Sequence, residues 1–175
     1  MKTIFTAKNV AKMGIFTALS FALTFFEFPI FPMAPFLKLD FSNVFVLIGG
    51  FSLGVIPGII ILIVKEALCL LKTTTVVGQL ANVIIGLFYI VVPFVLYSKK
   101  RVFKSAILGL IIGTLLTSFI SLFVNRYINF PLYGAPDSVF LQMWHIVLLF
   151  NLIKATLVSL ITLVLYKRVK QIINF

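Results

Sequence analysis

The sequence predicts an all-α integral membrane protein: six transmembrane helices in one bundle, with a Pro-rich outer loop between helices 1 and 2. Hydropathy is the first reason. Of 175 residues 62% are hydrophobic and 11% charged, where soluble domains are about a quarter charged, and the mean hydropathy is +1.21. The length of the apolar runs is the second, at residues 10–28, 43–71, 79–98, 103–125 and 143–166, against the roughly 20 residues that cross a bilayer core. The third is where the basic residues fall. The formal charge of +11 would suggest nucleic acid in a soluble chain, but Lys and Arg here flank apolar runs, where they set topology.

The run at 43–71 is too long for one span. Its 29 positions would reach about 44 Å at 1.5 Å per residue, against a core of about 30 Å. Gly49-Gly50, Gly54 and Pro57-Gly58 interrupt it, so it reads as two short helices with a tight turn near Gly54 to Gly58. Six spans with both termini inside put ten basic residues on the inner side: Lys2, Lys8, Lys12, Lys99, Lys100, Arg101, Lys104, Lys167, Arg168 and Lys170. Three lie outside (Lys38, Lys72, Arg126) and two within spans (Lys65, Lys154). Five spans would put five inside and eight outside, against the rule that cytoplasmic loops hold the excess. The sequence therefore predicts a multi-pass protein with both termini cytoplasmic, an uncleaved first helix and one membrane-embedded domain over residues 1–175.

Helix 1 carries Gly14, Ala18 and Ala22 at four-residue spacing, a smooth strip on which another helix can pack closely; Gly109 and Gly113 repeat the pattern on helix 5. After helix 1 comes "FEFPIFPMAPFLKLD", with prolines at 29, 32 and 35. Each proline fixes its own φ and disfavours helix in the residue before it, so an extended, polyproline-like path is expected. Irregular backbone at membrane depth is tolerated where protein or a water-filled cavity covers it. The segment is accordingly expected to roof the outer mouth of the bundle, with Phe36, Leu37 and Leu39 facing a flat ligand and Lys38 and Asp40 at its rim.

The remaining polar residues gather toward the outer half. Gln79 and Asn82 open helix 4, as ligand contacts or caps. On helix 5, Thr114, Thr117, Ser118, Ser121 and Asn125 form a stripe expected to serve packing and back-bonding. Asn151 and Lys154 share a face of helix 6. A lysine at the centre of a span costs roughly 2.5 to 3.5 kcal/mol unless satisfied, so Lys154 needs a partner, either an ion pair with Glu66 or a ligand in a wet pocket. His145 beside Trp144 reads as an interfacial anchor. The inner halves of helices 4 and 6 are almost purely apolar, so the polar groups point to a cavity open to the outside and not to a pore.

Several classes drop out. Cys69 is the single cysteine, which excludes an intrachain disulfide and C-x-x-C chemistry. One His and four carboxylates, none at metalloprotease spacing, leave no recognisable catalytic constellation, and no G-x-x-x-x-G-K-[ST] loop is present to bind nucleotide. A channel or stand-alone carrier would call for polar lining on both sides of the midplane and often for inverted repeats.

The segments "MGIFTALSFALTFFEFPIFPMAPFLKLDFSNV", "GVIPG", "GQLANVIIG" and "NLIKATLVSLITLVLYKR" resemble the riboflavin-binding S component of energy-coupling-factor (ECF) vitamin transporters, nearly end to end. "LKLDFS" and "NLIK" are the most specific parts. The resemblance implies a bacterial cell-membrane subunit that captures a vitamin from outside and topples within a complex containing a transmembrane T component and two cytoplasmic ATPases. Riboflavin would be the transported ligand and no cofactor is implied. Ligand contacts would fall on Lys38, Asp40, Gln79, Asn82, Asn151 and Lys154, and T-component docking on Gly14, Ala18 and Ala22. An S component for another vitamin would share the fold and differ in the pocket; a small intramembrane enzyme is the more distant alternative.

Overall fold

The computed structural model describes residues 5–72, 76–100 and 102–173, with side chains to residue 166. Lys2 and Arg101, counted above for topology, lie outside the described residues, as do the side chains of Lys167, Arg168 and Lys170.

Helix α1 (Ala7–Leu23) starts where the Thr6 hydroxyl accepts from the Asn9 N–H at 3.2 Å, satisfying one of the orphan donors of a first turn. It tightens into a 3-10 turn at Thr24–Phe26 and becomes extended at Glu27. The proline segment then departs from the expected polyproline path. It doubles back as a hairpin, β1 (Phe28–Pro29) pairing antiparallel with β2 (Lys38–Leu39). The prolines explain this once their register is known: Ala34 N–H bonds to Phe31 O and Leu37 N–H to Ala34 O, each at 3.0 Å, so Pro32 and Pro35 both occupy the second position of a β-turn. Fixed φ suits proline to that position, and two such turns in succession reverse the chain.

The hairpin is pinned to the bundle, because Ala34, Leu37 and Leu39 are buried against Ile146, Val147 and Phe150. Leu39, expected to face a ligand, is therefore an anchor at 3% exposure. Its alternation with Lys38 along the strand sends the two side chains to opposite faces.

Helices α2 (Asn43–Leu53) and α3 (Val55–Cys69) form the broken second run. The break is at Gly54 alone, whose φ of +112° suits only glycine. Pro57 and Gly58 lie instead in the first turn of α3, where a missing N–H costs no helical bond. The pair packs closely: a Cβ on Gly58 would sit 2.9 Å from Gly50 Cα and 2.2 Å from the Phe94 ring, and one on Gly50 would meet that ring at 1.9 Å. The glycines thus form a slot for Phe94 of α4 (Val76–Lys100).

Helix α5 (Phe103–Val124) runs on through a π-helical segment, Asn125–Asn129, and a further turn, Phe130–Leu132, before α6 (Asp137–Ile173). Among the described residues four helical stretches are long and apolar enough to cross a membrane: Ala7–Phe26, Val76–Lys100, Phe103–Leu132 and Asp137–Tyr166. Helices α2 and α3, at 11 and 15 residues, are shorter.

The core lies between α2, α3, α4, α5 and α6, with Leu47, Ile48, Ile61, Leu62, Ile90, Phe94 and Leu110 almost wholly buried. At one end of the bundle Phe51 packs edge-on against Tyr97 and Tyr166, whose hydroxyls meet. The helix 5 stripe back-bonds as expected, Ser118 to Thr114 O and Ser121 to Ser118 O, while Thr117 bonds across to Ile85 O of α4.

The two small-residue strips separate here. A Cβ on Gly109 would lie 2.5 Å from Pro93 Cα, and one on Gly113 2.7 Å from Tyr89 O, so the α5 strip is consumed by packing against α4. On α1, Gly14, Ala18 and Ala22 are all exposed, and a Cβ on Gly14 meets nothing within 4 Å. Gly109→Ala is therefore expected to lower the thermal midpoint in detergent, at a cost of about 1–3 kcal/mol from overpacking. Gly14→Ala should leave it in place; equal effects would show that the α5 strip is not a packing surface.

Candidate ligand-binding chamber

A chamber of about 430 Å³ opens between the hairpin, the start of α4, the end of the α5 continuation and the middle of α6, within the range of small-molecule sites. Phe36, Leu37, Ile85, Tyr133 and Phe150 supply flat or apolar wall. A narrower cleft of about 90 Å³ continues inward past Ser42, Asn43, Lys65, Glu66, Tyr89 and Thr117. All six residues expected to touch a ligand border this space: Lys38 the outer chamber only, and Asp40, Gln79, Asn82, Asn151 and Lys154 both parts.

The partner of Lys154 differs from the one considered from sequence. Its Nζ lies 2.7 Å from Asp40 Oδ2, both side chains mostly buried, while Glu66 pairs with its chain neighbour Lys65 at 2.5 Å. Sequence gives the depth of a residue in a helix; it does not give the azimuth that decides which carboxylate a lysine meets. The Lys154–Asp40 pair ties the hairpin exit to α6, and Lys154 also sits over the Phe150 ring at 5.8 Å. Burial alone would raise the Asp40 carboxyl. The positive charges of Lys154 and Lys65, with hydrogen bonds from Lys154 and Ser42, overcome that and hold it well below the ordinary carboxylate range. A lowered carboxyl contributes stability above its unfolded value and loses it only as pH falls through the folded one, so Asp40 is ionised across the physiological range.

A second clasp holds the hairpin base. Glu27 accepts from Lys38 at 2.9 Å and pairs with Lys72 at 3.1 Å, and Lys72 donates to Thr24 O at 2.5 Å. Burial pushes the Glu27 carboxyl up, but its hydrogen bonds from Lys38 and Lys72 leave it lowered.

The amides show what the chamber lacks. Asn151 Nδ2 donates to Val147 O at 2.9 Å, a back-bond that fixes its side chain. Asn125 Nδ2 donates to Ser121 O, and Asn129 Nδ2 to Asn125 Oδ1 at 2.9 Å. Gln79 Oε1 and Asn129 Oδ1 are buried and accept no hydrogen bond from the described residues. An unpaired buried acceptor costs about 1–3 kcal/mol, and these two, on α4 and on the α5 continuation, can be met by donors from water or from a bound molecule in the chamber.

Asn129 and Tyr133 are chamber residues that the sequence reading missed, and Asn125 was read there as packing. The i, i+4 spacing of Asn125 and Asn129 was the available signal, had the helix been carried past residue 125. His145 and Trp144 are exposed and pack on each other, outside the chamber lining. The arrangement suits a flat molecule that has an apolar body, N–H or O–H donors at its edge and no net charge, since the lining cations and anions largely compensate one another.

Residues 8–166 match the family model of the ECF transporter substrate-specific component. The riboflavin transporter RibU of Staphylococcus aureus is 32% identical over 175 residues, covering 95% of this chain and 93% of that protein. RibU of Streptococcus thermophilus is 28% identical over 179 residues, covering 95% and 84%. A solved S component of a bacterial ECF transporter superposes with a TM-score of 0.85 at 32% identity, over 96% of this chain and 98% of the other. The chain belongs to the substrate-specific components of ECF transporters.

Proposed function

We propose that this chain is the riboflavin-capturing subunit of an ECF transporter: a transport subunit, not an enzyme, that takes the vitamin from outside the bacterial cell and releases it inward when an energy-coupling module drives it. The relatives above carry the name riboflavin transporter. The observation that carries the reading onto this chain is the pair of unpartnered buried acceptors, Gln79 Oε1 and Asn129 Oδ1, in a chamber with aromatic walls. Riboflavin is a flat, uncharged tricycle with a hydrogen-bonding pyrimidine edge and a polyol tail, so it brings donors to such acceptors and a large apolar face to such walls. Lys38, Asp40, Asn82, Asn151 and Lys154 are assigned to the same ligand.

In this reading α2 and α3, about 16 and 22 Å long at 1.5 Å per residue, act as two short spans around Gly54. The bundle then has six spans, both termini cytoplasmic, and the hairpin roofs the outer mouth. The exposed α1 strip of Gly14, Ala18 and Ala22 docks the T component, and two cytoplasmic ATPases supply the energy.

Purified protein titrated into riboflavin is expected to quench its fluorescence to saturation at one ligand per chain, with excess thiamine, biotin or folate unable to compete. Competition by one of these would reassign the pocket to that vitamin.

A further inference from the structure

Lys65 borders the inner cleft, yet its ammonium has no proton left for a ligand. A lysine carries three N–H donors, and Lys65 Nζ has three acceptors around it: Glu66 Oε1 at 2.5 Å, Ser42 Oγ at 3.1 Å and Asn43 Oδ1 at 3.2 Å. Both Lys65 and Glu66 are 3% exposed. We propose that Lys65 is a positioning residue of the chamber: it fixes the turn by which the hairpin enters α2, and so sets the Asp40 carboxylate that holds Lys154 toward the ligand. This role rests on the riboflavin reading above and deepens it.

Ser42 is the hub. It is 1% exposed, and its three polar groups reach α3, α1 and the hairpin exit. Its hydroxyl oxygen accepts from Lys65 of α3 at 3.1 Å. Its N–H donates to Asp40 Oδ1 at 2.8 Å, and its carbonyl accepts from Ser20 Oγ of α1 at 3.0 Å. Asp40 thereby has one oxygen committed to the Ser42 backbone and the other to Lys154 at 2.7 Å. Lys154 makes one further hydrogen bond, a long one to Lys38 O at 3.5 Å, which leaves hydrogen-bonding capacity for the chamber. Lys65 uses all its donors on protein and Lys154 does not. That asymmetry separates a residue that organises the site from one that meets the ligand.

A simple ion pair gluing the bundle would behave differently. Replacing a buried pair by uncharged groups of similar size is often neutral or stabilising, whereas removing one partner strands the other's charge. The test uses the full chain in detergent, with riboflavin fluorescence for affinity and thermal unfolding without ligand for fold. Lys65→Met with Glu66→Gln removes both charges together. Its thermal midpoint should match the unmodified chain while its riboflavin affinity falls about tenfold, a coupling ordinary for residues in one hydrogen-bond network. Ser42→Ala should weaken binding about fivefold alone and cause no further loss in the doubly changed background, because the Lys65 link is already gone. Ser42→Thr, which keeps the hydroxyl, should restore it.

Affinity within twofold of the unmodified chain in a double variant of normal thermal midpoint would overturn the role. So would equal effects of Ser42→Ala in both backgrounds. Should the double variant not fold, the Ser42 pair decides alone, and Ala and Thr binding alike overturns it. An unmodified chain that binds no riboflavin would sink the flavin reading and this role with it; one that binds normally beside indifferent variants would sink only the role of Lys65.

Discussion

Lys154→Ala is expected to weaken riboflavin binding by up to about 100-fold while leaving the bundle folded. Two things are lost. The ammonium no longer reaches the ligand, and Asp40, 2.7 Å away and mostly buried, becomes a carboxylate without its main counter-charge. Losing a hydrogen bond from a charged donor to the ligand costs about 1.5–3 kcal/mol, and about 2.7 kcal/mol is 100-fold in affinity. Stranding Asp40 costs the fold instead, less than the about 3–5 kcal/mol of a fully buried pair because of residual exposure and the Ser42 N–H bond. The fold survives because the side chain borders a cavity and not the apolar core. Asp40→Asn combined with Lys154→Met removes the stranded charge, so the thermal midpoint should recover while affinity stays low. Recovery of both would mean that Lys154 closes the hairpin without meeting the vitamin.

Ala18→Trp is expected to abolish riboflavin uptake by the assembled transporter while leaving the affinity of the isolated subunit within twofold of normal. Ala18 is exposed in the middle of the α1 strip, flanked by Gly14 and Ala22. Helices pack with axes about 8–10 Å apart, and small residues are what let membrane helices reach the near end of that range. An indole there holds any partner helix away along the whole strip. It points away from the chamber, whose lining takes no residue from that strip. Normal uptake would place the docking surface elsewhere; lost binding would mean that α1 shapes the pocket.

Much of the site was legible because polar groups in apolar runs are costly and therefore conspicuous. Lys154, Asn151, Gln79 and Asn82 stood out on that ground alone, and the structure places all four on one chamber. Pairing was not legible. Asp40 rather than Glu66 meets Lys154 because the hairpin exit folds onto α6, a tertiary contact no spacing encodes. Proline at every third position fits an extended, polyproline-like roof as well as two successive β-turns; burial of Ala34 and Leu37 against α6 tips it to the turns. Asn129 and Tyr133 escape a run that ends at residue 125 with Arg126 outside, whereas a π-helical segment carries the helix on to Leu132. Helix breaks were read better: Gly54 ends α2 because no other residue adopts its φ of +112°. The strips at Gly14 and Gly109 looked alike in sequence, and only the position of Pro93 beside Gly109 tells packing from an open face.

The chamber, as proposed, faces the exterior and holds the vitamin. This is tested most directly by thiol labelling along α4 in intact cells, in a chain whose own cysteine is replaced by Cys69→Ser. Asn82→Cys sits at the chamber and Ser98→Cys at the far end of the same helix, about 24 Å away at 1.5 Å per residue. A membrane-impermeant maleimide should label position 82 from outside, riboflavin should protect it, and position 98 should stay unlabelled until the membrane is opened. Labelling of position 98 from outside, or labelling at 82 that riboflavin leaves unchanged in a variant that still quenches flavin fluorescence, would contradict it.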